Sequence, residues 1–192
     1  MKWSILEKKL LLTKLIKFWH IKLKYQKFGG EMSNICDWVY IEKKDTVAIL
    51  LFDPALNKLV FVKQFRLTAE FHKDDNSMLW PLEIVAGHVD DGENIKAAAL
   101  REVKEEVGVT SSDISLATKF YSSPGMYGER VHLFIAKIDS RQISLTPQGL
   151  KAENEDVMPV IMPLEEAYSL VANGKISDAK TIIAVLWLKA NL

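Results

Sequence analysis

Residues 87–109 read GHVDDGENIKAAALREVKEEVGV. Four glutamates and one arginine stand at set intervals between a leading and a trailing glycine. From about Asn94 to Val107 there is no Gly or Pro, and the run is rich in Ala, Leu, Lys and Glu, so its intrinsic propensity predicts a helix. Gly108 supplies the C-terminal stop. Ala97, Leu100, Val103 and Val107 recur at helical spacing and predict an apolar stripe buried against a sheet. The acids follow their own spacing. Glu102 and Glu106 are four apart and Glu105 is three from Glu102, so their side chains project from neighbouring turns of one region of the surface.

Three carboxylates that close repel each other, and within the run Arg101 is the nearby cation. The crowding is relieved if a metal ion sits among them, and hard divalent ions with oxygen ligands, Mg2+ or Mn2+, suit such donors. A diphosphate brings further negative charge of the kind such ions bridge, so the segment points to metal-assisted hydrolysis of a P–O–P bond. An arbitrary Glu-rich helix is more simply a solvated face; the flanking glycines and Arg101 argue for a site. Arg101 reads as an orienting partner for the acids, through its planar fork of donors. Gly87 follows the apolar run Leu82–Ala86, interrupted by Glu83, so the order is strand, loop, helix. A glycine at that loop lets the backbone come close to metal or phosphate. Glu83 interrupts a buried strand at a cost unless it hydrogen-bonds a ligand, a metal-bound water or loop backbone.

Working outward, 192 residues fit one domain, or one domain with a small appendage. The apolar fraction of 48 % and formal net charge of zero describe a soluble globular chain with no global pull toward nucleic acid or membrane. Residues 1–30 nevertheless hold eight lysines and, as acids, only Glu7 and no other before Glu31. The leader MKWSILEKKLLLTKLIKFW has lysines in every apolar run and no small-residue cleavage site after it, which argues against a targeting peptide; a surface helix on anionic lipid is the other reading, and a hairpin strand is preferred to it. Leu15–Phe28 alternates apolar and basic residues and predicts a two-sided hairpin strand, with a turn at Phe28-Gly29-Gly30-Glu31. Cys36 is the single cysteine, so no intrachain disulfide forms; this suits the cytoplasm, and the thiol reads as a buried small apolar side chain.

Strands are expected at Thr46–Asp53, Lys58–Arg66, Leu116–Tyr121, Arg130–Ile138 and Val157–Met162, with a turn at Ser122–Gly125 and helices at Leu164–Asn173 and Asp178–Leu188. Strands interleaved with a few helices predict a mixed sheet covered on both faces, an α/β/α sandwich of the α+β class. His20, His72, His88 and His132 lack zinc spacing, His88 is expected to be exposed, and Trp80 and Trp187 read as core.

The segment Gly87, five residues, Glu93, seven residues, Arg101-Glu102-Val103-Lys104-Glu105-Glu106-Val107-Gly108 resembles the Nudix box at every defined position. Seven fixed residues at roughly one in fifteen each coincide by chance about once in 10^8 placements. From about Asp45 to Leu188 the chain resembles the ADP-ribose pyrophosphatase branch of the Nudix hydrolases. The likeness is carried by Gln64-Phe65-Arg66, Leu82–Gly87, Ser122-Ser-Pro-Gly125 with Glu129-Arg130, and Ala152-Glu153-Asn154-Glu155-Asp156. It implies a Nudix-like fold over 45–192 and an N-terminal antiparallel β region, 1–44, exchanged across a homodimer. It also implies Mg2+-dependent (Mn2+ possible) hydrolysis of a nucleotide sugar, ADP-ribose to AMP and ribose 5-phosphate.

By resemblance, the carbonyl of Ala86 with Glu102, Glu106 and Glu155 would hold metal. Glu153 would orient the attacking water, or exchange that role with Glu155, and Arg101 and Glu105 complete the catalytic set. Arg66, Glu83, Gly87, Glu129 and Trp38 are the substrate-binding candidates: Arg66 to grip a phosphate bidentately, Trp38 to stack on a base. The chain departs from the family where relatives present arginines to the partner's substrate. Here the sequence is Ile35-Cys36-Asp37-Trp38-Val39-Tyr40, which opens GDP-mannose or another nucleotide sugar as the alternative substrate. A sensor that binds ADP-ribose without cleaving it would call for a degraded box, and this box is intact. No nucleic-acid or membrane partner is expected.

Overall fold

The computed structural model describes residues 1–12, 16–67 and 79–192, apart from the side chain of Glu153. Leu15 and His72 therefore lie outside the described residues. The chain forms two compact units, one of Met1–Asp45 with Tyr121–Arg130 and one of Thr46–Phe120 with Val131–Leu192.

The second unit is built around β4 (Thr46–Asp53), whose eight residues are all buried. TVAILLFD is apolar on both alternations, the pattern of a strand covered on both faces. It pairs in parallel with β9 (Tyr127–Lys137), from Thr46↔Val131 to Phe52↔Lys137. It pairs antiparallel with β5 (Lys58–Lys63) at one end and β7 (Val85–His88) at the other. The short β6 (Leu82–Glu83) and β10 (Met158–Pro163) both pair with β5, and β8 (Asp113–Ser123) with β9. The sheet is therefore mixed. Alternation along β4 sends Val47, Ile49 and Leu51 to the layer holding α1 (Ile95–Val107), and Ala48, Leu50 and Phe52 to the layer holding α2 (Leu164–Ala172) and α3 (Ala179–Asn191). The expected α/β/α sandwich is present. Buried Asp53 accepts the Ala55 and Leu56 amides at 3.0 and 3.1 Å and closes the β4–β5 turn, in which Asn57 takes a φ of 50°.

Some details differ from expectation. Ala97 is exposed, and α1 buries Ala98, Ala99, Val103 and Val107 together with Glu102 and Glu106; the helix is rotated so that two acids share its covered side. Trp80 is half exposed rather than core and meets Phe65 edge to face at 5.4 Å, whereas Trp187 packs against the α2–α3 layer.

In the first unit β1 (Trp3–Leu12), β2 (Lys17–Tyr25) and β3 (Cys36–Glu42) form an antiparallel meander. Among the described residues β1 pairs only with β2, and every residue in it is exposed. The tip 121–130 joins this unit through the Ile41↔Tyr127 parallel pair, the Trp38 indole N–H to the Gly125 carbonyl at 2.8 Å, and the Arg130–Asp45 ion pair at 2.6 Å. The lysine-rich leader thus supplies β1 and the start of β2. Among the described residues no helix is long and apolar enough to cross a membrane. Cys36 is only partly buried, its Sγ 3.4 Å from the Asn34 carbonyl.

Candidate functional site

The loop from β7 into α1 ends in a side-chain cap. Asn94 Oδ1 accepts the amides of Lys96 at 2.9 Å and Ala97 at 3.2 Å, while Glu93 Oε2 accepts that of Asp90 at 3.0 Å. At the other end Gly108 adopts φ 74° and donates to the Lys104 carbonyl, the left-handed stop that glycine permits.

Arg101 ties this frame together. Its Nε and NH2 grip both oxygens of Glu93 at 3.0 Å, NH1 reaches Glu102 Oε1 at 2.8 Å and Glu105 Oε2 at 3.0 Å, and NH2 also donates to the His88 carbonyl at 3.0 Å. One guanidinium thereby joins the loop to two successive turns of the helix. The hydrogen bonds from Arg101 and from the Asp90 amide hold the Glu93 carboxyl down at about 2, and the same acids push Arg101 above its usual value.

Glu102 lies directly on Gly87: a Cβ at position 87 would fall on the Glu102 carboxylate. Burial raises the Glu102 carboxyl above the ordinary range, and the charges of Glu105 and Glu155 add to it against the pull of Arg101. One turn on, Glu106 is almost wholly buried, and its carboxyl is pushed well up by burial first and then by the charges of Glu102 and Glu155. The Ala86 amide and the Arg66 charge pull the other way. Its Oε2 is the one buried side-chain nitrogen or oxygen among the described residues without a hydrogen-bond partner.

Glu155 arrives on the loop between β9 and β10. That loop is clasped at its base by the Gln148–Val157 pair of backbone bonds, at 2.8 and 3.1 Å, and is tethered to α1 by the Gly149 amide on the Glu105 carbonyl at 3.2 Å. Gly149 (φ 103°) packs against Glu155, and Glu155 Oε2 accepts the Leu150 amide at 3.0 Å. Glu153 ends the 3-10 turn Lys151–Glu153 in this loop; its side chain lies outside the described residues.

Across from the helix, Glu83 is buried and held bidentately by Arg66, Nε to Oε1 at 2.8 Å and NH2 to Oε2 at 2.7 Å. The interrupting acid of the strand is therefore satisfied by the arginine. Arg66 is raised by this pair first, with smaller contributions from the charges of Glu106 and Asp178. Local spacing leaves Arg66 and Glu83 as separate binders, because the sixteen residues between them hide their pairing.

Trp38 and Glu129 belong to the first unit. There a pocket of about 350 Å³ is lined by Trp38, Tyr40, Tyr121, Met126 and Tyr127 with Gly125 and Gly128 in its wall. Gly128 is required by contact: a Cβ would meet the Tyr40 ring at 2.6 Å. Glu129 follows, and its charge adds to burial in raising the Tyr127 phenol. His20 pairs with Asp37 at 2.8 Å, exposed His88 Nδ1 lies 3.3 Å from Thr46 Oγ1, and His132 is buried in β9.

The residues present fit a divalent cation. An orphaned carboxylate oxygen, two further acids whose charges bear on it, and a glycine that leaves the backbone bare beside them form an all-oxygen donor set. Among the described residues no three or more His, Cys, Asp or Glu side chains are grouped to hold a metal ion by themselves, so waters and substrate oxygens would have to complete the set. Such a half-open set is how Mg2+ is commonly held, by one or two carboxylates with waters and substrate phosphates in the remaining positions.

A family model described as NUDIX domain matches residues 42–185. The chain is 33% identical over 171 residues to the ADP-ribose pyrophosphatase of Haemophilus influenzae, covering 89% of this chain and 78% of that one. It is 32% identical over 168 residues to the ADP-ribose pyrophosphatase of Escherichia coli K12, covering 88% and 78%. It is also 32% identical over 185 residues to the GDP-mannose pyrophosphatase of Pectobacterium atrosepticum, covering 94% and 90%. A solved structure of an ADP compounds hydrolase shares the fold, with a TM-score of 0.75 at 20% identity over 100% of this chain and 95% of that one.

Proposed function

The chain belongs to the NUDIX domain family, and on that premise we propose that it is a hydrolase of the diphosphate bond in nucleoside diphosphate sugars, with ADP-ribose, split to AMP and ribose 5-phosphate, as its leading substrate. The observation that carries this reading is the buried, partnerless Oε2 of Glu106 among the charges of Glu102 and Glu155. The names of the relatives support the substrate class.

In this reading Glu102, Glu106, Glu155 and the Ala86 carbonyl hold a divalent metal, Mg2+ in preference to Mn2+. When bound, such an ion offsets the diphosphate charge and makes a bound water more acidic. The protein's part is positional and acid–base. Arg101, through Glu93, Glu102 and Glu105, holds the helix acids in one orientation. Glu153 accepts the proton of the attacking water as its oxygen bonds to one phosphorus and the bridging oxygen leaves with the other phosphate. Glu83 holds the plane of Arg66, which meets a phosphate with its remaining donors, while Gly87 lets the Glu102 carboxylate lie against the backbone and so brings metal and substrate close to it. Within the first unit, Trp38 is the candidate stacking face for a base and Glu129 the candidate polar contact for a nucleoside.

The protein is taken as a cytoplasmic homodimer that pairs through residues 1–44. The fully exposed apolar strand β1 supports this.

GDP-mannose is the second reading, favoured by the arginine-free stretch Ile35–Tyr40 and by the GDP-mannose pyrophosphatase among the relatives. The test is product analysis by mass spectrometry, with Mg2+ and each substrate in parallel in 18O-labelled water. AMP and ribose 5-phosphate as the faster products support the leading reading, and the label marks the phosphorus attacked. GMP and mannose 1-phosphate as the faster products move specificity to the second substrate. No metal-dependent release of a nucleoside monophosphate from any nucleotide sugar overturns the hydrolase and leaves a binding protein.

A further inference from the structure

Between β6 and β7 the chain leaves one neighbour for another: Glu83 is paired with Val62 on β5, and Val85 with Ile49 on β4. Ile84, at the crossing, is fully buried and belongs to neither strand, so its amide has no place in a ladder. A buried amide left unmade is costly. Its acceptor comes from ninety-seven residues away, the hydroxyl of Thr181, at 2.9 Å.

Thr181 is itself wholly buried, in the first turn of α3. Its hydroxyl donates to Asp178 Oδ2 at 2.7 Å, the same oxygen accepts the Thr181 amide at 2.9 Å, and Lys180 Nζ grips Asp178 Oδ1 at 2.7 Å. Capping α3 requires only the Asp178 carboxylate and the amide. The hydroxyl adds nothing to the cap; its second bond runs out of the helix to the strand crossing. One residue before that crossing stands Glu83, which holds Arg66; two residues after it, the Ala86 amide supports Glu106; then comes Gly87, on which Glu102 lies. The charge of Asp178 also acts on Arg66.

We propose that Thr181, held by Asp178, is a positioning residue of the site: its hydroxyl fixes the Ile84 amide and so sets the backbone that presents Glu83, Ala86 and Gly87 to the acids of α1. This rests on the functional reading above. The bond network makes Thr181 the hinge pin between the C-terminal helix and the candidate metal centre.

The test uses the full chain with Mn2+ alone, followed by calorimetric titration, alongside thermal unfolding and steady-state kinetics. Thr181→Val keeps the shape and removes both hydroxyl bonds. It is expected to weaken Mn2+ binding about ten-fold or more, the scale seen when a partner of a metal ligand is lost. It should also lower kcat about ten-fold with KM within about two-fold. Thr181→Ser restores the hydroxyl and brings Mn2+ affinity back to within about two-fold of wild type. Asp178→Asn retains a helix cap and perturbs the hydroxyl's acceptor, so it shows an intermediate loss of Mn2+ affinity even if the valine variant does not fold. A lower melting temperature with unchanged Mn2+ affinity and kcat in the folded variants would mean a purely structural role and overturn the proposal. Wild-type protein that takes up no Mn2+ would overturn the reading of the site itself.

Discussion

Glu106 carries a carboxylate oxygen that nothing among the described residues satisfies, and leaving a buried acceptor unmade costs about 1–3 kcal/mol. Glu106→Gln removes that charge. Turnover should fall at least about 100-fold, some 2.7 kcal/mol of barrier, while melting in chelator at pH 8 is unchanged or raised; wild-type turnover at saturating Mg2+ would refute the assignment. Gly87→Ala drives a Cβ into the Glu102 carboxylate, so the loop or the helix must shift. Metal affinity measured by titration should drop about ten-fold or more, and retained affinity would show that the two can part harmlessly. Glu93 supplies the pH dependence. Its folded value of about 2 lies below the 4.5 of an unperturbed glutamate, so its contribution to stability is present above the unfolded value and is lost as pH falls from 4.5 toward 2. Glu93→Gln should flatten unfolding midpoints across that window, and a wild-type profile in the variant would count against the Arg101 frame.

At the scale of elements, α1 was legible almost to the residue: Asn94 caps it, Gly108 ends it, and no breaker lies between. Its rotation was not. Ala97, Ala98 and Ala99 are alike in size and polarity, so their order holds no phase, and Glu102 and Glu106 read as polar although the protein covers them. The strand β1 was hidden for another reason. Its alternation is broken by irregularities between Ile5 and Glu7 and between Leu10 and Leu12, which leave no clean two-residue period to read. The pairing of Arg66 with Glu83 and the reach of Thr181 to Ile84 are tertiary facts that local spacing does not encode. Gly149 tests the loop that carries Glu155. At φ 103°, with a Cβ placed 2.8 Å from that of Glu155, Gly149→Ala should displace the loop. Turnover should fall about ten-fold with little change in melting temperature, as expected when a loop and not the core is disturbed; undiminished turnover would remove the loop from the mechanism.

For the whole molecule, the register aligns Trp3, Ile5 and Leu10 of β1 with Tyr25, Leu23 and Trp19 of β2, an apolar run on a strand whose outer edge has no partner strand among the described residues. Sedimentation at micromolar concentration is expected to give a dimer, and Ile5→Lys with Leu10→Lys a monomer; a monomeric wild type would end the exchanged-pair reading. The first unit has a further consequence, which concerns time. Its two parts, 1–45 and 121–130, are separated by the 75 residues 46–120. On a translating ribosome at roughly 5–20 residues per second, the meander therefore precedes its closing tip by about 4–15 s. For those seconds Trp38 and Ile41 of β3 wait on the nascent chain for the Gly125 carbonyl and the Tyr127 pair that they meet in the finished unit, so the birth order of the polypeptide sets when this unit is complete.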